Sequence, residues 1–142
     1  MSKSNAYETA ILELLFNATA IANIADNAGT SPLTNLYVSL HTADPGETGT
    51  AITNECAYTS YARVAVARTS GGWTVTGNSV SPVATISFPT ATGGTETATN
   101  FGIVSTASGA GVLYYSGTIT PNISISSGVT PQLTTASTIT ED

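Results

Sequence analysis

The chain has 142 residues and a net charge of −6, with three Lys and Arg against nine Asp and Glu, and only 8% of it is charged. That length fits one domain of about 100–150 residues. So few ionisable groups argue against acid–base, metal or phosphate chemistry, which needs several of them on one site, and the acidic balance without a basic stripe argues against nucleic-acid binding.

The chain opens Met1-Ser-Lys-Ser-Asn-Ala-Tyr-Glu, without the long apolar h-region of a secretory signal, which predicts synthesis in the cytoplasm. Asn5 and Glu8 have the spacing of a capping box, and Tyr7, Ile11, Leu14, Leu15, Ala18 and Ile21 recur at helical spacing. One amphipathic helix is therefore predicted over about residues 6–24, ending near Asp26-Asn27-Ala28-Gly29. Its apolar stripe of Ile11, Leu14, Leu15 and Ala18 is expected to pack on the rest of the chain and to contribute to dimerisation. The strongest apolar run, Ala10–Phe16, is broken by Glu13 and is far shorter than the roughly 20 residues that span a bilayer, so no membrane partner is predicted.

Beyond Pro32, short runs of Val, Ile, Tyr and Thr alternate with Gly, Pro, Asn and Ser clusters, the pattern of an antiparallel β-domain. Strands are predicted near Leu36–His41, Ala62–Arg68, Trp73–Thr76, Ala84–Phe88, Asn100–Ser105, Val112–Thr118, Ile123–Ser126 and Thr134–Ile139. About eight strands suit a jelly roll or sandwich. The predicted architecture is thus a single mainly β domain, with an N-terminal helix and link over residues 1–30 and a jelly roll over 31–142. Ser70-Gly71-Gly72 reads as a hairpin link between the second and third strands. The Thr- and Ser-rich strands present a face without charge, weakly defended against edge pairing. Pro82, Pro89, Pro121 and Pro131 are candidates for blocking some edges, and neighbouring subunits for occupying others.

The reactive side chains are few. His41 with Asp44 is the one His–carboxylate pairing, but no Gly-x-Ser-x-Gly elbow accompanies it, and the simpler reading is a strand-ending His before an Asp-Pro-Gly turn. Asp44, Glu47 and Glu55 lack the spacing of a calcium loop and read as a solvated acidic loop. The single Cys, Cys56, excludes an internal disulfide and has no second thiol or nearby His to complete a zinc site. No cofactor and no catalysis are expected. Arg63 and Arg68 are five residues apart and point to opposite faces of a regular strand, so each is expected to bond separately, at an edge or across a subunit interface. Leu15, Arg63, Arg68, Trp73, Tyr114 and Tyr115 are the candidate interface residues.

Two stretches carry a resemblance: Ser31-Pro-Leu-Thr-Asn-Leu-Tyr-Val-Ser-Leu-His-Thr-Ala-Asp-Pro-Gly-Glu-Thr-Gly and Tyr61-Ala-Arg-Val-Ala-Val-Ala-Arg-Thr-Ser-Gly-Gly-Trp. They resemble a group of small tailed-phage structural proteins, some labelled tail-fibre proteins and some capsid cement proteins, a Bordetella-phage cement protein among them. The cement side of that group implies a jelly-roll homodimer on the outer surface of the phage head. There it would bridge neighbouring HK97-like major capsid protein subunits and stabilise the shell by binding linkage. The fibre side implies a tail-associated protein that recognises a receptor or glycan through Trp73, Tyr58, Tyr61, Tyr114 or Tyr115.

Overall fold

The computed structural model describes residues 4–21, 25 and 32–141. In chain order the elements are α1 (Asn5–Asn17), β1 (Asn35–His41), β2 (Val64–Ala67), β3 (Trp73–Thr76), β4 (Ser79–Pro82), β5 (Ile86–Ser87), β6 (Glu96–Val104), β7 (Leu113–Ile125), β8 (Gln132–Leu133) and β9 (Ile139–Thr140). They form sheets of order β2-β1-β6-β7, β3-β4-β9 and β5-β8. This is the mainly β, antiparallel architecture with one helix near the N-terminus that the sequence predicts, and it is compatible with a jelly roll. The chain clusters into two compact units. One holds the described parts of Met1–Asn35, Val66–Thr85 and Leu133–Asp142, the other Leu36–Ala65 and Ile86–Gln132.

In the first unit α1 is shorter than predicted and caps one residue earlier. Ser4, not Asn5, is the N-cap, its hydroxyl accepting from the Tyr7 N–H. The helix stops at Asn17 because Ala18 turns left-handed at φ 57°, and the Thr19 N–H returns to the Glu13 carbonyl at 3.0 Å. The predicted stop at 26–29 lies outside the described residues. The buried face is also different: Glu8, Leu12 and Phe16, spaced four apart, replace the expected Ile11, Leu14, Leu15 and Ala18 stripe. An acidic residue on that face hides its periodicity. This face packs on β3 and β4, with the Phe16 and Trp73 rings edge-to-face at 4.8 Å.

The predicted glycine hairpin is not where the chain reverses. Ser70-Gly71-Gly72 forms a turn between strands of different sheets, and Gly72 is needed for close approach, since a Cβ there would lie 2.1 Å from the Ala67 carbonyl oxygen. The hairpin instead joins β3 to β4, with Thr76 opposite Ser79 across Gly77-Asn78 and Gly77 at φ +60°. β4 is a strand the sequence reading omits. Its Pro82 pairs only with Trp73, past the end of β9, where the missing N–H costs no ladder bond.

In the second unit β1 and β6 run antiparallel, His41 opposite Asn100 and Tyr37 opposite Val104. Their buried residues Leu36, Val38, Leu40, Ala98, Ile103 and Val104 build much of its core. Each fully buried Leu, Ile or Val contributes about 1.5–3 kcal/mol. The predicted strands at 112–118 and 123–126 merge into the single 13-residue β7, which carries a cis Thr120–Pro121 bond. The predicted strand 134–139 is replaced by the short β8 and β9. β7 is an outer strand of its sheet, and its register against β6 slips at Ala98/Asn100 and at Ile103/Val104. From Thr97 to Thr140 the sequence contains no charged residue.

Candidate functional site

The polar centre of the second unit is an ion pair between the buried Arg63 and the half-buried Glu55. Arg63 Nε donates to Glu55 Oε1 at 2.7 Å and Nη2 to Glu55 Oε2 at 2.8 Å. Nη1 reaches the Thr106 carbonyl at 2.9 Å and hydroxyl at 3.2 Å, and Nη2 also reaches the Gly109 carbonyl at 2.7 Å. Every guanidinium N–H therefore has an acceptor, with 2% of the Arg63 side chain and 14% of the Glu55 side chain exposed. Hydrogen bonding to Glu55 raises the Arg63 pKa further above neutrality. Tyr61 completes the cluster, donating to Glu55 Oε1 at 2.9 Å and accepting the Leu40 N–H at 3.0 Å. Glu55 is thus spent on Arg63 and Tyr61 and does not join Asp44 and Glu47, and among the described residues no three His, Cys, Asp or Glu side chains are placed to hold a metal ion.

His41 is fully buried at the end of β1 and does not pair with Asp44 by hydrogen bond. Its Nδ1 lies 2.8 Å from the Thr53 carbonyl, and its Nε2 lies 2.8 Å from the Ser39 hydroxyl. A carbonyl only accepts, so Nδ1 carries the proton and Nε2 accepts from Ser39. Burial lowers the His41 pKa and favours this neutral form. The Ser–His contact has the distances of a nucleophile and base, but both residues are 0% exposed and Gly102 lies over them. A Cβ at Gly102 would sit 2.7 Å from Ser39 Oγ and 2.8 Å from His41 Nε2. The pair therefore fills and orders the core.

Cys56 is buried, and desolvation with the nearby Glu96 carboxylate pushes its thiol up to about 12. Glu96 itself accepts the N–H groups of Ala57 and Tyr58 at 2.9–3.1 Å, fixing the loop that carries Cys56. In the first unit Arg68 closes the C-terminal end of α1. Nε donates to the Leu15 carbonyl at 2.6 Å, Nη1 to that of Leu33 at 3.2 Å, and Nη2 to that of Leu14. The Leu14 and Leu15 carbonyls are ones that a helix end leaves without partners, at its negative pole.

The candidate interface residues therefore divide. Arg63, Arg68 and Trp73 are buried at 9%, 9% and 2% exposure and are committed to their own chain. Leu15 and Tyr115 are half-buried, and Tyr114 is 36% exposed. What the structure adds is an open groove of about 380 Å³, lined by Asp44, Gly46 and Glu47 on one side and by Leu113, Tyr114, Tyr115 and Ser116 on the other. Sequence reasoning had its parts, the Asp-Pro-Gly turn and the tyrosine pair, and no sign that they meet. They are about 70 residues apart and are brought together by the pairing of β7 with β6 and of β6 with β1, and by the Ala51 N–H donating to the Ala110 carbonyl at 2.8 Å.

Residues 2–140 match the family model described as podophage GP4 fiber I protein gp80. The chain belongs to this family. It is accordingly a bacteriophage structural protein of fibre type, and of the two labels within the earlier resemblance the match favours the fibre one. No curated protein matches the chain.

Proposed function

We propose that the protein is a tail-associated fibre component that self-associates as a homo-oligomer and works by binding rather than by catalysis. The observation that carries this reading is the family match over residues 2–140, nearly the whole chain. Two structural features support it. The one Ser–His contact is sealed in the core. The long outer strand β7 and the charge-free segment from Thr97 to Thr140 let copies of an acidic chain approach without burying unpaired charge.

Antibody-gold labelling of purified virions, with copy number from stained gels, tests the assignment. Labels at the tail and a small copy number support it. Labels over the whole head, with a copy number matching the shell lattice, would replace it by the capsid cement reading, in which the protein bridges major capsid protein subunits.

A further inference from the structure

We infer that the groove between residues 44–47 and the start of β7 is a binding site for a neutral saccharide, an assignment that rests on the fibre reading. The first observation is a bulge. Ile103 lies opposite Tyr115 and Val104 opposite Leu113, so one step along β6 takes two along β7, and Tyr114 is the additional residue. In a regular strand Tyr114 and Tyr115 would face opposite sides. Here both line one groove, with Leu113 and Ser116 beside them, at a bulge of the kind found next to functional sites.

The second observation is the facing wall. Asp44 Oδ1 accepts the Gly46 N–H at 2.9 Å, the Asp44 carbonyl accepts from Asn54 Nδ2 at 3.1 Å, and the Gly49 N–H donates to the Gly46 carbonyl at 3.1 Å. The turn is thereby preorganised, with the Asp44 and Glu47 side chains exposed. One wall thus supplies aromatic surface and the other two exposed carboxylates, that of Asp44 held by its turn.

A pyranose ring has the matching halves: a C–H face that packs on tyrosine and hydroxyls that donate to carboxylates. Charge selects among sugars. Arg63 and Arg68 are the only arginines, and both are consumed inside the chain. The groove lining contains two acids and no base, so phosphorylated, sialylated or uronic sugars are repelled and a neutral hexose is accepted. Exposed Val112, at 55%, and Tyr114 extend the apolar wall toward a second sugar unit.

The test is saturation-transfer NMR on the full chain with methyl glucoside, galactoside and mannoside, the corresponding disaccharides, and N-acetylneuraminic acid. At least one neutral sugar should receive saturation at its ring C–H protons, with a Kd of about 1 mM for a single unit. The sialic acid should receive none. Tyr114→Ala should abolish transfer, Tyr114→Phe should keep it, and Glu47→Gln should weaken binding about tenfold, all with unchanged thermal midpoint and oligomeric size. Absence of transfer from every neutral sugar overturns the assignment, as does transfer that survives both Tyr114→Ala and Glu47→Gln. If Tyr114→Ala alters oligomeric size while no sugar binds, the groove is a contact between copies of the chain. Gold labelling of virions decides the fibre reading separately, since it does not depend on sugar binding.

Discussion

Arg63 and Arg68 are five residues apart, equally buried, and solved by the fold in two different ways. Arg63 meets a carboxylate, so two opposite charges cancel and every remaining donor goes to a carbonyl or hydroxyl. Arg68 donates to the carbonyls of Leu14, Leu15 and Leu33, the first two at the end of α1, where aligned peptide dipoles present partial negative charge. A buried guanidinium therefore needs a filled set of acceptors, and a formal counter-charge is one way of supplying it. The two sites differ most in what is left behind when the arginine is removed, because one strands a charge and the other only dipoles.

The largest effect is expected at the charged site. Arg63→Met leaves the Glu55 carboxylate without its cation and should cost about 3–5 kcal/mol, read as a drop in the denaturant midpoint. Arg63→Met combined with Glu55→Leu removes both charges and should recover much of that loss. A double variant no more stable than the single one would show that the shape of the pair, rather than its charge, sustains this region. Arg68→Met should cost less, about 1.5–3 kcal/mol for lost bonds to a charged group, and amide exchange should quicken first in the last turn of α1. An equal loss at both positions would erase the distinction between counter-charge and dipole.

The pH response sharpens the same contrast, since Arg63 stays charged while His41 stays neutral. Burial lowers the His41 pKa below its ordinary 6.5, so the unfolded chain takes up a proton that the folded chain refuses. Stability is fully present above pH 6.5 and declines as pH falls through the window below it, by at most about 1.4 kcal/mol per pH unit, until the folded pKa is reached. His41→Gln should remove this part of the slope between neutral pH and pH 5. An unchanged slope would mean that the His41 pKa is the same in the folded and the unfolded chain. The smallest effect concerns Cys56. With its thiol pushed up to about 12 and buried, it should react with a thiol reagent at pH 8 only after denaturant is added. Rapid labelling of the native chain would show that the Glu96-anchored loop opens.

What the sequence determines by itself is local. The apolar and β-branched runs specify a mainly β chain with one helix near its start, and β3 falls on its predicted residues because its flanks and composition agree. The scarcity of cations also limits the sites that can form, since three Lys and Arg cannot make a basic patch. Other features depend on neighbours that are distant in sequence. The buried face of α1 was hidden by Glu8, because periodicity counts apolar residues and cannot see an acid accommodated by packing. β4 was missed although Gly77-Asn78 offered a two-residue hairpin signal, and the paired glycines nearby drew the turn instead. The tertiary structure alone decided the Glu55–Arg63 pair, the sealed Ser39–His41 contact, and the meeting of Asp44 and Glu47 with Tyr114 and Tyr115. Ser39 and His41 are two residues apart on β1, and Glu55 and Arg63 are eight apart. What covers the first pair (Gly102) and what fills the remaining donors of the second (Thr106 and Gly109), like the two sides of the groove, comes from distant segments placed by the pairing of whole strands rather than by any short stretch of chain.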